Sequence, residues 1–175
     1  MAQEIIVNNS GQAVAHLKKI KVRDYYRTPI ELFKKGCKLF GITPIIDVSE
    51  SSQVFPEWMD NRMNLTPIRI TEDQDLLKTP ITQDAYGNLP YSKIPQLLPH
   101  LVEQHRKNRV SILLLVFGKT DTQWFDENVL QVKSAVYEKK CCITKRVRFN
   151  CQHGFPTENS APYHNVWIFF DKKLL

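Results

Sequence analysis

The sequence predicts an α/β fold in which helices are layered on a largely parallel sheet, with antiparallel strands near the carboxyl end. Helical and strand patterns alternate along the chain, which is typical of this architecture. One strand pattern, VSILLLVF at residues 110–117, is apolar at every position except Ser111. Such a run indicates a central strand that is covered on both faces. The 175 residues match the usual size of a single domain, about 100–200 residues.

The composition favours a basic protein inside the cell. Twenty-four Lys and Arg against eighteen Asp and Glu leave a net charge of +6, which favours nucleic acid as a partner, although charge that serves only solubility is the alternative. No apolar run reaches the roughly 18 residues of a membrane span, and the first residues do not resemble a secretory signal. Four cysteines are too few for a disulfide framework. We therefore expect a cytoplasmic protein.

The first helix is predicted to begin at Thr28. Thr28 serves as the N-cap, Pro29 takes the first helical position, and Glu31 completes a capping box three residues after the cap. Apolar residues at helical spacing follow, and Gly41 is placed to end the helix in the left-handed conformation. Residues 1–22, which precede this helix, are expected to form an arm, and residues 23–175 a single domain.

Two short strands follow, and each ends in a polar residue. PIIDV at 44–48 indicates a buried strand that ends at Asp47. Several polar residues, together with Pro56 and Pro67, interrupt every pattern over residues 53–80. Residues 81–91 indicate a strand that runs into a loop at Asn88. Because ligands in α/β sheets bind beyond the carboxyl ends of strands, Asp47 and Asn88 point to a shared site.

The second half of the chain contains two more helical patterns. The first has its apolar face at residues 94–105, and Pro99 within it predicts a kink or a late helix start. The next helix follows the apolar strand and is expected to be capped by Thr120 or Asp121. Further strands are expected around 134–137, 143–149 and 165–170.

The segment from Asn88 to Tyr91 suits the binding of a flat exocyclic amine. The side-chain oxygen of Asn88 can accept one N–H of the amine, and the backbone carbonyl of Leu89 can accept the other. Together they draw the nitrogen towards sp3 character and make it a better nucleophile. Pro90 stiffens the loop, and Tyr91 can stack on the ring.

These residues resemble the [Asp/Asn]-Pro-Pro-[Tyr/Phe] motif of amino-methyltransferases that use S-adenosylmethionine. The flanking blocks resemble the phage-type Dam DNA N6-adenine methyltransferases, in the order of that family, over about residues 24–170. The matching blocks are TPIELF (28–33), FG (40–41), IDVS (46–49), TQD (82–84), KTDTQWF (119–125) and NSAPY (159–163).

The resemblance implies a Rossmann-like methyltransferase fold with helices on both faces of the sheet. It implies S-adenosylmethionine as methyl donor and, as acceptor, an adenine flipped out of duplex DNA. By position, Thr28 and Pro29 would lie near the methionine end of the donor. Asp47, supported by Ser49, would lie near the donor's amino group or ribose, and Asp84 would contact its adenine.

The catalytic segment implied by the resemblance is Asn88, Leu89, Pro90 and Tyr91. Leu89 stands where the family motif has its first proline. This exchange keeps the carbonyl and removes stiffness, so one alternative is a catalytically inactive, nucleic-acid-binding relative. Another alternative is an enzyme acting on adenine in RNA or on the N4 amine of cytosine, because the same acceptor geometry serves all these amines.

Two further patterns concern charge and metal. Lys139 and Lys140, with the KRVR segment at 145–148, form a basic cluster. This cluster suits contacts with phosphates or, alternatively, a solvated edge strand. Cys141, Cys142, Cys151 and His153 lack the Cys-x2–4-Cys pair of a structural zinc site, so no metal is expected.

Overall fold

The described residues form one seven-stranded sheet. The computed structural model describes residues 27–49, 68–70, 75–137, 141–143, 145–149, 160–161 and 163–175. The strands are β1 (Ile46–Asp47), β2 (Ile68–Arg69), β3 (Ala85–Gly87), β4 (Ile112–Phe117), β5 (Ala135–Val136), β6 (Cys142–Ile143) and β7 (Asn165–Phe170).

The strand order is β2-β1-β3-β4-β7-β5, and β6 also pairs with β7. The pairs formed among β2, β1, β3 and β4 are parallel. β7 runs antiparallel to β4, β5 and β6. The expected fold class is confirmed, since a parallel sheet carries antiparallel strands at its carboxyl-terminal side, consistent with the Rossmann-like methyltransferase fold.

Helices cover both faces of the sheet. They are α1 (Ile30–Phe40), α2 (Ile94–Asn108) and α3 (Gln123–Phe125), which continues as a π turn over Asp126–Leu130. Side chains of β4 alternate between two cores: Leu113, Leu115 and Phe117 pack on the α1 side, whereas Ile112, Leu114 and Val116 pack on the side of α2 and α3. The strand is buried along its whole length for this reason.

The start of α1 differs from the prediction. The helix begins at Ile30 with Pro29 as N-cap, and no side chain caps it. The hydroxyl of Thr28 instead forms a hydrogen bond with the hydroxyl of Tyr86. The capping box was wrong because a distant partner competes for the Thr28 side chain. Gly41 does end the helix in the left-handed region, with φ 64°.

The other helices also depart from prediction at their starts. α2 begins at Ile94 and runs through Pro99, so the late start was wrong. The helix continues at the cost of one ladder bond, since Pro99 has no N–H to donate to the carbonyl of Pro95 in the first turn. α3 follows Thr122 rather than Thr120 or Asp121, because the Thr122 hydroxyl closes a turn by donating to the carbonyl of Lys119.

Short and irregular segments were the hardest to predict. β2 fell within residues 53–80, where no strand was expected. The strand expected at 143–149 is only Cys142–Ile143. The expected arm at residues 1–22 lies outside the described residues and stays a prediction. None of the helices in the described part of the chain is long and apolar enough to cross a membrane.

A buried histidine on α2 predicts how stability depends on pH. His105 is 0% exposed, its Nδ1 lies 2.6 Å from the carbonyl oxygen of Val110, and its Nε2 lies 2.8 Å from the hydroxyl of Ser134. Burial is the main cause that lowers the pKa of His105. The folded protein therefore favours the neutral ring. The ring's contribution to the free energy of unfolding is complete above about pH 6.5, the pKa of histidine in the unfolded chain. This contribution is lost as the pH falls below that value.

We expect the free energy of unfolding, measured by urea denaturation, to fall between pH 7 and pH 5. One proton limits the slope to about 1.4 kcal/mol per pH unit. His105→Gln should flatten this dependence, whereas His164→Gln, a change at an exposed side chain, should keep it. An unchanged pH dependence in His105→Gln would contradict the assignment.

Candidate active site at the carboxyl ends of β1 and β3

The strand order reverses between β1 and β3. β2 follows β1 in the chain and pairs on one side of it, whereas β3 pairs on the other side. In α/β sheets, ligands bind at such a switch point, beyond the carboxyl ends of the strands, and we call this edge of β1 and β3 the crevice. Asp47 is the last residue of β1, and Asn88 follows β3 directly. The structure thus brings together the two strand ends that the sequence singled out.

Ser49 joins Asp47 to Asn88. The Asp47 carboxylate accepts hydrogen bonds from the backbone N–H of Ser49 at 3.0 Å and from its hydroxyl at 3.1 Å. The Ser49 hydroxyl oxygen in turn accepts the N–H of Asn88 at 2.8 Å. Asp47 is only 4% exposed. A buried carboxylate is therefore linked through one hydroxyl to the first residue of the proposed catalytic segment.

Gly87, for which the sequence predicted no role, allows this close approach. A Cβ atom on Gly87 would lie 2.6 Å from Cγ2 of Val48, well inside van der Waals contact. The N–H of Val48 donates to the carbonyl of Tyr86 at 2.9 Å, so the loop after β1 stays bonded to β3. The only sequence signal for this role was a glycine placed immediately before Asn88.

Leu89 anchors the loop in the core. Its side chain is 1% exposed and belongs to the core on the α2 side of the sheet. Pro90 then begins a turn in which its carbonyl accepts the N–H of Lys93 at 2.8 Å, directly before α2. Burial of Leu89 and this turn restrict a loop that lacks the first proline of the family motif.

Tyr91 is held by aromatic neighbours. Its ring stacks on Phe117, with 3.3 Å between ring centroids and 22° between ring planes. Phe149 meets it edge-on at 6.5 Å. Since Phe117 is the last residue of β4, the stack places Tyr91 at the carboxyl edge of the sheet.

Thr28 and Pro29 lie where α1 begins. The Thr28 hydroxyl is 2.5 Å from the hydroxyl of Tyr86, and Tyr86 packs edge-on against Phe33 of α1. These contacts tie the start of the helix to β3, whose last residue precedes Asn88. The first N–H groups of a helix have no intrahelical partner and favour negative charge.

Asp84 lies at the opposite end of β3. Its carboxylate accepts the N–H of Ser111 at 2.8 Å and forms an ion pair with Lys172 at 2.9 Å. Three strand residues span about 10 Å, which separates Asp84 from the crevice. The carboxylate of Asp84 thus joins β3 to β4 and to the turn after β7, and its backbone carbonyl accepts the N–H groups of Ile45 and Ile46 at the amino end of β1. Asp47 lies at the other end of that strand.

A basic segment lies beside the Tyr91 stack. Val147 and Phe149 are buried, whereas Arg146 and Arg148 are exposed. Because Phe149 contacts Tyr91, the two arginines belong to a segment anchored next to the loop that begins at Asn88. Of the predicted basic cluster, Lys139 and Lys140 lie outside the described residues.

An exposed tyrosine extends the aromatic contacts to the surface. Tyr163 is 47% exposed and packs edge-on against Phe117 at 5.5 Å. The Lys119 ammonium lies 5.0 Å from the centroid of the Tyr163 ring. We call Lys119, Arg146, Arg148 and Tyr163 the basic rim. It combines positive charge with an accessible aromatic ring near the crevice.

Comparison with known proteins supports the resemblance seen in the motifs. A family model described as DNA N-6-adenine-methyltransferase (Dam) matches residues 15–173. A search of curated proteins found no match, and a search of solved structures found none either. The family match spans well over half of the chain. The chain therefore belongs to the Dam family of DNA N6-adenine methyltransferases.

Proposed function

We propose that this protein transfers the methyl group of S-adenosylmethionine to the N6 amine of an adenine that is flipped out of duplex DNA. Family membership supplies the reaction class, and one observation carries the assignment of residues. The hydrogen bonds from Asp47 through Ser49 to Asn88 join a site suited to the donor with a site suited to the acceptor. Methyl transfer needs these two sites side by side.

The residues at the crevice fit the methyl donor. S-adenosylmethionine carries an ammonium group and ribose hydroxyls, all of which donate hydrogen bonds, and a buried carboxylate such as Asp47 accepts only. Its own carboxylate suits the start of α1 near Thr28 and Pro29, where helix N–H groups favour an anion. When bound, the donor supplies a methyl group on a positively charged sulfur.

The loop at Asn88 fits the acceptor. Its side-chain amide oxygen and the carbonyl of Leu89 would each accept one N–H of the adenine amine. Two fixed acceptors orient the nitrogen lone pair and stabilise the positive charge that develops on nitrogen during attack. Catalysis would therefore rest on positioning and hydrogen bonding, with Tyr91 stacked against the base.

The buried Leu89 supports an active enzyme over an inactive relative. Proline at this position would restrict the loop through its ring, whereas here the core restricts it through a buried side chain. Ordering before binding lowers the entropic cost of holding the amine. The carbonyl needed at Leu89 is present with any side chain.

A labelling assay tests the proposed reaction. We expect purified protein, given S-adenosylmethionine labelled in its methyl group, to label unmethylated duplex DNA and to yield N6-methyladenine after digestion. S-adenosylhomocysteine, which lacks the methyl group, should compete for the site and suppress labelling. Label on cytosine N4, or on RNA in preference to DNA, would contradict the proposal.

The basic rim is the surface that we propose contacts DNA phosphates. The double variant Arg146→Ala/Arg148→Ala is expected to weaken DNA binding and to lower the slope of log affinity against log salt by roughly 0.9 for each lost contact. Fluorescence anisotropy at several salt concentrations measures both quantities.

Arg106→Ala/Lys107→Ala is the matched control for charge, because it also removes two positive charges. Both side chains are exposed in the last turn of α2, which leads to the amino end of β4 and thus away from the crevice. Their loss should leave the salt slope close to that of the wild type. An equal effect of this control would show that overall charge, rather than the basic rim, attracts DNA.

A further inference from the structure

We infer that Asn165 is a positioning residue for Tyr91, an inference that rests on the proposed function because Tyr91 belongs to the catalytic loop. Asn165 begins β7, and the five residues after it in the strand are all apolar. The Asn165 side chain is 0% exposed. A fully buried amide at the edge of the crevice needs a physical explanation, since buried polar groups are unfavourable unless well bonded.

The sheet register places Asn165 beside the Tyr91 stack. Asn165 is the partner of Phe117 in the β4–β7 pairing, and Phe117 is the ring on which Tyr91 stacks. The Asn165 Nδ2 lies 3.5 Å from the Tyr91 hydroxyl oxygen and 3.4 Å from the carbonyl oxygen of Val116. One side chain therefore meets both the catalytic loop and the strand that supports it.

The hydrogen bonds of the Asn165 side chain are long and contribute little to the stability of the fold. Both distances are at the long end for N–H···O bonds. Among the residues that the structure describes, no donor lies within hydrogen-bonding distance of the Asn165 Oδ1. An apolar side chain would avoid the unfavourable burial of this amide. Contact with the Tyr91 hydroxyl is thus the better explanation of the buried amide.

Asn165 acts on the orientation of the Tyr91 ring. Stacking on Phe117 keeps the ring planes nearly parallel but leaves the ring able to slide and rotate within its plane. A polar contact at the hydroxyl, the far end of the ring, resists both motions. The amide suits this contact because it can donate through Nδ2 or, if rotated, accept through Oδ1.

A double-mutant cycle tests this coupling. We expect Asn165→Ala to lower kcat for methyl transfer by about tenfold with little change in the KM for S-adenosylmethionine. In the Tyr91→Phe background, the same change should lower kcat less than about twofold, because the contact is already absent. Equal effects of Asn165→Ala in both backgrounds would overturn the inference.

Fluorine NMR of protein labelled with 3-fluorotyrosine tests the contact without relying on activity. The Tyr91 resonance is identified by its loss in Tyr91→Phe. We expect Asn165→Ala to shift it, and Ile168→Val, a small change at a buried residue on the opposite face of β7, to leave it in place. An unmoved resonance in Asn165→Ala would overturn the inference.

These two readouts separate failure of the inference from failure of the proposed function. A shifted resonance in a protein whose wild type transfers no methyl group would refute the proposed function while supporting the contact. A shifted resonance with undiminished kcat would overturn the positioning role. A shift together with a coupled loss of kcat would support both.

Discussion

Replacing Asn88 with alanine is expected to lower the rate of methyl transfer by at least about 100-fold. The variant loses one of two acceptors proposed for the adenine amine, and loss of a single preorganised hydrogen-bonding group at a reacting centre typically lowers kcat by about 10²–10³. The backbone N–H that bonds to Ser49 is retained in alanine. The loop should therefore keep its place, and S-adenosylmethionine should bind with nearly unchanged affinity. Initial rates at saturating donor and DNA measure the effect.

Asn128→Ala is the matched control for this variant. Asn128 lies in the π turn after α3 and donates through Nδ2 to the carbonyl of Trp124. The substitution Asn128→Ala makes the same chemical change in a partly buried side chain on another element. We expect its rate to stay within about twofold of the wild type, since surface changes away from a site have small effects. A wild-type rate in Asn88→Ala would exclude the proposed acceptor site.

Replacing Asp47 with asparagine is expected to weaken binding of S-adenosylmethionine by about 10- to 100-fold. The change keeps the size of the side chain and removes the charge, and hydrogen bonds to charged groups contribute roughly 1.5–3 kcal/mol. An ammonium donor gains most from the ionised form. Calorimetric titration with S-adenosylmethionine and S-adenosylhomocysteine measures this loss.

Asp84→Asn provides the contrasting result. The change is chemically identical, but Asp84 lies at the amino end of β3 and pairs with Lys172. We expect a lower Tm and a donor affinity within about twofold of the wild type. If Asp84→Asn weakened donor binding while Asp47→Asn did not, the assignment of the crevice to the carboxyl ends of β1 and β3 would be wrong.

Elements with long, regular patterns could be predicted from the sequence. The apolar run 110–117 became β4, the pattern at 165–170 became β7 with those bounds, and the helix ending at Gly41 has the expected cap. Such patterns can be recognised from neighbouring residues, and the folded protein keeps the helix or strand that they predict. β2 could not be found this way, because two residues are too few to show a period, and its pairing with β1 defines it.

The roles of residues whose partners are distant in the sequence could not be predicted from the local pattern. The pattern around Thr28 fits a capping box, yet its hydroxyl bonds to Tyr86, 58 residues away. The local pattern placed Asp47 at the carboxyl end of a strand, as the structure has it. The pattern over residues 81–91 did not show that β3 begins only after Asp84, which places Asp84 at the amino edge of the sheet.

The fold class, the longer elements and the order of the family's motifs follow from the sequence alone, and the residues of the catalytic segment are a prediction from it. Each of these features depends on residues that lie close together in the sequence. The tertiary structure alone decided that Ser49 bonds to Asn88 across 39 residues, and that Asn165 meets Tyr91 across 74. Such contacts depend on strand order and register, which bring distant segments within hydrogen-bonding distance and which no local pattern encodes.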